Sequence, residues 1–355
     1  MSQNEKVSTA RKYWKLIPGF AISAYFLWRV LRDLKVDRLR EMRLSHPVWI
    51  GVFVAFIVCD YALRGYRWWY MLRPVKASYR ACVRVLLTSL AANNILPFRI
   101  GDFMRIFAYA PDVNAPSSTV LSTVLLERLL DIFMLFTFFV VELQGADSRF
   151  PQHTIYGHSL GVQELAIVLL MVAAVGLGAL LFGTRLLQRI THGLVARFGQ
   201  HPRTKKLGEW ASLLFDAVLH LTFVDRIWLV LITSAVWFCE SVLFISAAKM
   251  VGIESGVRGP WLAASLSNLS FMLPSAPGGI GPFEGSAKLA MQSQGAMADD
   301  AALFAVLVHV LIWFAITAVG GIGFLVHRAA RGAMSKPLTE ELAAVPVDLE
   351  VPETH

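Results

Sequence analysis

Charge is scarce in this sequence. Only 16% of its 355 residues are Asp, Glu, Lys or Arg, where an ordinary soluble domain carries about a quarter. That shortage excludes a water-exposed globular domain as the main body of the chain. Cysteine is scarcer still. Cys59, Cys82 and Cys239 lie in or beside apolar runs, with no CxxC spacing, which excludes a zinc-finger motif and argues against a disulfide framework. No glycine-rich phosphate loop, Walker motif or HExxH occurs. ATP hydrolysis and zinc proteolysis therefore have no support, and neither metal nor cofactor is expected.

Apolar residues are abundant, at 56% of the chain, with a mean hydropathy of +0.56. Runs at 47–70, 117–141, 162–182, 227–250 and 301–326 each approach or exceed the about 20 residues that cross a bilayer. A shorter run at 16–30 is read as a retained anchor, because no small-x-small cleavage site follows it and Arg29 and Arg32 come next.

The net charge of +8 points to no nucleic-acid partner, because the basic residues sit in short loops where they orient spans. Lys6, Arg11, Lys12 and Lys15, then Arg64 to Arg84, Arg185 to Lys206, and Arg328 with Arg331 are assigned to the cytoplasm. Residues 142–163 hold Arg149 as their one basic residue and are assigned to the outside. Both termini are thus expected in the cytoplasm, with the chain in a bacterial inner membrane. Residues 184–222 are too polar to span. Trp210, Leu213, Leu214, Val218 and Leu221 recur there near helical spacing and predict an amphipathic cytoplasmic helix.

Two hydrophobic stretches are broken in their middle. One reads Asn93-Asn94-Ile95-Leu96-Pro97-Phe98-Arg99-Ile100-Gly101-Asp102, closed by Arg105; the other runs from Asn268 through Leu273-Pro274 to Pro277-Gly278-Gly279-Ile280-Gly281-Pro282-Phe283-Glu284. In hydrocarbon, unpaired backbone survives only within protein or beside a water-filled cavity. If both stretches crossed, the basic residues from Arg185 to Lys206 would lie outside, against the charge rule. Two re-entrant hairpins, about 81–110 and 259–294, satisfy it except at 29–43, which is mixed in charge and admits two other readings, an interfacial amphipathic helix or a first run that does not cross. The expected fold is an all-α polytopic membrane protein: about six full spans plus two re-entrant broken-helix hairpins in an inverted repeat. Its membrane domain covers 1–335, with halves at about 10–145 and 160–330. A disordered acidic tail, 336–355, is assigned no function.

Ionisable residues inside spans are candidates for function, since each costs at least a few kcal/mol unless paired or hydrated. Glu127 and Asp131 are one helical turn apart, with Arg128 beside them. Two acids on one stripe need a cation between them, and Arg99 and Arg105 are the nearest in sequence. An ion-pair network that only locks hairpin to span is the competing reading. Glu240 lies mid-run; Asp60 has Arg64 as a local partner; His309 is read as a packing histidine. Trp49, Trp68, Trp69, Trp228 and Trp261 are read as interfacial anchors. The glycines 278, 279 and 281 allow close backbone approach, and a half-helix after them would offer free N–H groups to an anion. Those N–H groups with Arg99 and Arg105 suggest a phosphate.

These stretches resemble the signature elements of a known family. The Asn93 to Asp102 stretch with Arg105, then Glu127-Arg128-x-x-Asp131, then Pro277-Gly278-Gly279-Ile280-Gly281 with Glu284 are similar to the lysylphosphatidylglycerol synthase transmembrane-region family. This flippase-like domain also occurs alone in hopanoid- and glycolipid-associated proteins. Arg64-x-x-Arg67-Trp68 resembles a further basic-aromatic element, and Asp102 stands where glutamate is common. The likeness covers about 10–330.

The resemblance implies movement of lipids or lipid-linked head groups between leaflets. Multidomain members carry a soluble aminoacyl-transferase domain after the membrane region; the short stretch after 335 gives no expectation of aminoacyl transfer here. The expected activity is translocation of an anionic lipid without ATP, by a protein that is not an enzyme. Its expected binding residues are Asn93, Asn94, Arg99, Asp102, Arg105, Glu127, Arg128, Asp131, Glu240, Asn268, Pro277, Gly278, Gly279, Gly281 and Glu284. A membrane-embedded lipid-phosphate transferase and a non-catalytic scaffold for lipid-synthesis enzymes stay open as alternatives, as does the oligomeric state.

Overall fold

A computed structural model describes residues 17–34, 46–144, 153–155, 158–160, 162–198, 202–253, 256–273 and 275–343. The expectations for the first basic segment, for 35–45 and for Pro274 lie outside these residues. The chain is an all-α polytopic membrane protein. Its helices are α1 (Ile17–Asp33), α2 (Val48–Met71), α3 (Tyr79–Ile95), α4 (Ile100–Phe103), α5 (Ser117–Gln144), α6 (Val162–Phe182), α7 (Thr184–Phe198), α8 (Pro202–Leu219), α9 (Phe223–Met250), α10 (Arg258–Ser270), α11 (Pro282–Ser293) and α12 (Ala298–Ala343). A small antiparallel ribbon pairs His153–Ile155 with His158–Leu160.

Among the described residues, four helices are long and apolar enough to cross a membrane: Val48–Met71, Glu164–Phe182, Phe223–Met250 and Ala298–Ala329. Of the other two expected spans, α5 has 28 residues but carries Glu127, Arg128 and Asp131 in its middle, and α1 has 17. Lipid-facing surface is plain on α6, where Val168, Met171, Val172 and Val175 are exposed. The last helix runs on to Ala343, past the point at 336 where a disordered tail was expected; residues 344–355 lie outside the described structure.

The broken stretches fold back. Helices α3, α10 and α11 have 17, 13 and 12 residues, so at 1.5 Å per residue they reach about 26, 20 and 18 Å, short of the about 30 Å of hydrocarbon. In the first hairpin the chain breaks at Leu96-Pro97, and Arg99 takes a left-handed conformation, φ 52°. A π-helical turn, Met104–Ala108, follows α4. The Asn93 side chain ties the two limbs, donating to Asp102 Oδ1 (3.1 Å) and accepting from the Asp102 N–H (3.3 Å). It thereby supplies hydrogen bonds where the helix cannot.

The packing is that expected of an inverted repeat. Helix α2 packs on its counterpart α9. The first hairpin's α3 lies on α12, and the second hairpin's α10 lies on α5; α2 on α3 is matched by α9 on α10, and α5 on α6 by α12 on α1. Where α2 crosses α9, Cys59-Asp60 faces Cys239-Glu240: the sulfurs are 3.8 Å apart, and Arg64 bonds both acids. The turns of the two hairpins touch.

Residues 184–222 form two helices rather than one. Leu214 and Val218 of α8 pack into the core with Leu181 and Leu229, so this apolar face meets protein. Trp68 also departs from its expected place. It is fully buried, donates to Thr123 Oγ1 (3.1 Å) and underlies the Arg105 guanidinium at 3.8 Å, because the end of α2 is covered by the first hairpin and α5.

Candidate functional site

A cavity of about 590 Å³ lies where the hairpins meet, lined from both halves of the chain. The first hairpin contributes Asn93, Asn94, Pro97, Arg99 and Asp102; the second contributes Asn268, Phe271, Pro277, Gly278 and Gly279. Arg128 and Asp131 of α5, Glu240 of α9, and His309 and Trp313 of α12 complete its polar wall, with Tyr61 and Arg64 from α2. The Pro277–Gly279 turn sits so close to the first hairpin that a Cβ on Gly278 (φ 69°) would lie 3.2 Å from the Asn94 carbonyl and 2.9 Å from Trp313 Nε1. Glycine is required there for conformation and for room.

The charges on this wall are unevenly satisfied. Arg64 donates to Asp60 (2.7 Å) and Glu240 (3.1 Å), and Glu240 is also 3.4 Å from the Asn268 amide. Asp131 receives two bonds from Arg67, at 2.6 and 3.2 Å, and one from the Trp237 indole at 3.2 Å. Arg128 stands 3.6 Å from Asp102, 3.7 Å from Glu127 and 3.9 Å from Asp131, and its buried Nε has no partner. Arg99 donates to the Phe271 carbonyl (3.1 Å) of the other hairpin; no carboxylate among the described residues pairs with it. The cavity thus has a positive end at Arg99. At its other end Glu240 shares Arg64 with Asp60, which is buried behind the wall.

Behind the wall lies a second network. Arg105, with no exposed surface, bonds Glu127 at 2.9 and 3.3 Å, and Arg67, equally buried, stands 3.7 Å from the same carboxylate. The cations shared by Glu127 and Asp131 are therefore Arg67 and, at longer range, Arg128, neither Arg99 nor Arg105.

The family model for the lysylphosphatidylglycerol synthase TM region matches residues 16–320. The chain belongs to this family. A curated relative, the glycosyltransferase AglD of Haloferax volcanii, is 22% identical over 305 residues, which cover 79% of this chain and 49% of that protein. The chain therefore spans about half the length of this relative. No solved structure matches it.

Against the lysylphosphatidylglycerol synthase-family elements named above, the expected residues divide. Asn93, Asn94, Arg99, Asp102, Arg128, Asp131, Glu240, Asn268, Pro277, Gly278 and Gly279 line the cavity; Arg105, Glu127, Gly281 and Glu284 do not. Arg105 and Glu127 are corrected to a buried clamp joining the first hairpin to α5. At the start of α11 the Gly281 N–H is taken by Glu284 Oε2 at 2.7 Å, so that group is not offered to a ligand. Asn94 is held by Thr317 at 3.0 Å. Sequence reasoning missed Tyr61, Arg64, Trp237 and Trp313 as lining residues. A signal existed for two of them: Asp60, Tyr61 and Arg64 put charge and a hydroxyl on one flank of an apolar span.

Proposed function

We propose that this protein moves a lipid with an anionic head group between membrane leaflets, without ATP. The observation that carries the reading is a cavity between two broken helices, apolar over most of its lining but with charged groups on one wall, into which Arg99 faces with no carboxylate paired to it among the described residues. An anion binds at Arg99. Hydroxyl or amino groups of the head group bind at Glu240 and Asn268, while the acyl chains stay in lipid, so only the head needs a polar path. The charge distribution of the loops supports a plasma-membrane chain with both termini in the cytoplasm.

A transferase reading draws support from the name of the Haloferax relative, of which this chain spans about half. The cavity favours transport, since among the described residues the Asp131 and Glu240 carboxylates are each bonded to an arginine rather than to a histidine or hydroxyl, as an acid–base pair would be. The test is reconstitution in liposomes with a leaflet-selective assay over labelled lipids. Accelerated exchange is expected for anionic glycerophospholipids and glycosyl phospholipids, and not for phosphatidylcholine, whose quaternary ammonium offsets the phosphate charge that Arg99 would attract and offers no donor to Glu240. Equal rates with and without protein for every lipid would overturn translocation, and a changed lipid mass would establish chemistry instead.

A further inference from the structure

Glu284 and His309 form a buried pair that the head-group site does not use directly. Each is 6% exposed. His309 Nδ1 lies 2.7 Å from Glu284 Oε1, and Nε2 lies 3.0 Å from the Gly278 carbonyl. The ring stacks on Phe283 at 4.1 Å. Glu284 Oε2 is engaged by the Gly281 N–H at 2.7 Å.

Counting hydrogens decides what this arrangement contains. A carbonyl oxygen only accepts, so Nε2 must carry a proton. A neutral imidazole then has a bare lone pair on Nδ1, which would face a carboxylate at 2.7 Å. Two acceptors at that distance repel. The pair therefore holds one proton more than neutral histidine plus carboxylate, placed on Nδ1 or on Oε1. Three charged groups on the elements packed around it have partners of their own. Lys288, next on α11, bonds Asp33 and the Arg29 carbonyl of α1; Glu240 of α9 is held by Arg64, and Arg84 of α3 by Asp112.

We propose that Glu284 and His309 are a proton-binding site that fixes the Pro277–Gly279 turn against the first hairpin while protonated, and frees it when the proton leaves. The inference rests on the translocation reading for its meaning. His309 lines the cavity, so the proton passes to and from water there. Its loss leaves a net negative charge in a buried site, breaks the Nδ1 contact and lets the ring turn away from the Gly278 carbonyl. Gly278 is also where the second hairpin presses on Asn94. Proton and head group are then linked ligands of one wall, and each must shift the binding of the other.

Glu284→Gln separates the proton from the geometry. Glutamine keeps an oxygen for the Gly281 N–H and gives Nδ1 a permanent N–H donor, so the turn stays fixed at every pH. The experiment uses the full chain in liposomes, with ¹⁵N-histidine and ¹³C-carboxyl solid-state NMR and flip rates measured from about pH 5 to about pH 9; His309→Asn and Glu284→Gln assign the signals. In the wild type the pair's extra proton is expected at low pH and absent at high pH. The flip rate should change about tenfold across that step, within ordinary coupling strengths. In Glu284→Gln it should vary less than about twofold. His309 ¹⁵N and Glu284 ¹³C-carboxyl signals that stay the same from about pH 5 to about pH 9 overturn the proposal, as does a Glu284→Gln rate as pH-dependent as the wild type. If no lipid moves under any condition the translocation reading falls, and the NMR signals alone decide the dyad.

Discussion

Arg67→Met is expected to leave little folded protein. Arg67 has no exposed surface, and it bonds Asp131 twice and Thr233 Oγ1 at 3.0 Å while standing 3.7 Å from Glu127. Without it, Asp131 loses its two short bonds and Glu127 one of its cations, leaving Arg105 on Glu127 and the longer contacts of Arg128, at 3.7 and 3.9 Å, to serve both acids. Removing one partner of a buried ion pair costs about 3–5 kcal/mol, a large share of the about 5–15 kcal/mol that holds a typical domain together. The check is thermal stability in detergent, followed by fluorescence-detected size exclusion. Pairing the change with Asp131→Leu should recover much of the loss, since replacing both ions by apolar groups is often close to neutral. A wild-type melting curve for Arg67→Met alone would show that the network does not carry the fold.

Arg99→Glu should have the opposite profile, with stability kept and transport lost. Its guanidinium faces the cavity, and its one hydrogen bond among the described residues is to the Phe271 carbonyl, so little of the described fold depends on its charge. A hydrogen bond to an ionised group contributes about 1.5–3 kcal/mol, and placing a carboxylate there adds repulsion. The flip rate of an anionic lipid should therefore fall by at least about tenfold and toward a hundredfold, at unchanged melting temperature. An unchanged rate would remove Arg99 from the head-group path.

Much of this architecture was legible in the sequence. The apolar runs, the two Pro/Gly breaks and the placement of lysine and arginine suffice for a broken-helix membrane fold. Asp60 with Arg64 is a local pair, found at 2.7 Å. Arg67 could not be assigned in the same way, because its partners Asp131 and Thr233 lie 64 and 166 residues away and no spacing rule reaches that far. Trp68 at a span's end looks like an interfacial anchor until one knows which elements cover it. Glu284 was assigned to the ligand although a local signal pointed elsewhere. It stands three residues after Gly281, with Pro282 opening the helix, the position from which an acid closes back on the helix's own first N–H. His309 drew the bland reading because its partners come from another element.

The central claim is that an anionic head group enters the cavity between the hairpins, and capture from inside that cavity tests it most directly. Phe271 lines the cavity beside Arg99 and can be replaced by a benzophenone-bearing phenylalanine. The protein is then illuminated in nanodiscs holding equal amounts of an anionic lipid and phosphatidylcholine with the same acyl chains. Mass spectrometry of the adducts should show the anionic lipid predominating, with that preference lost in the Arg99→Glu background. Equal capture of the two lipids, unchanged by Arg99→Glu, would contradict the account.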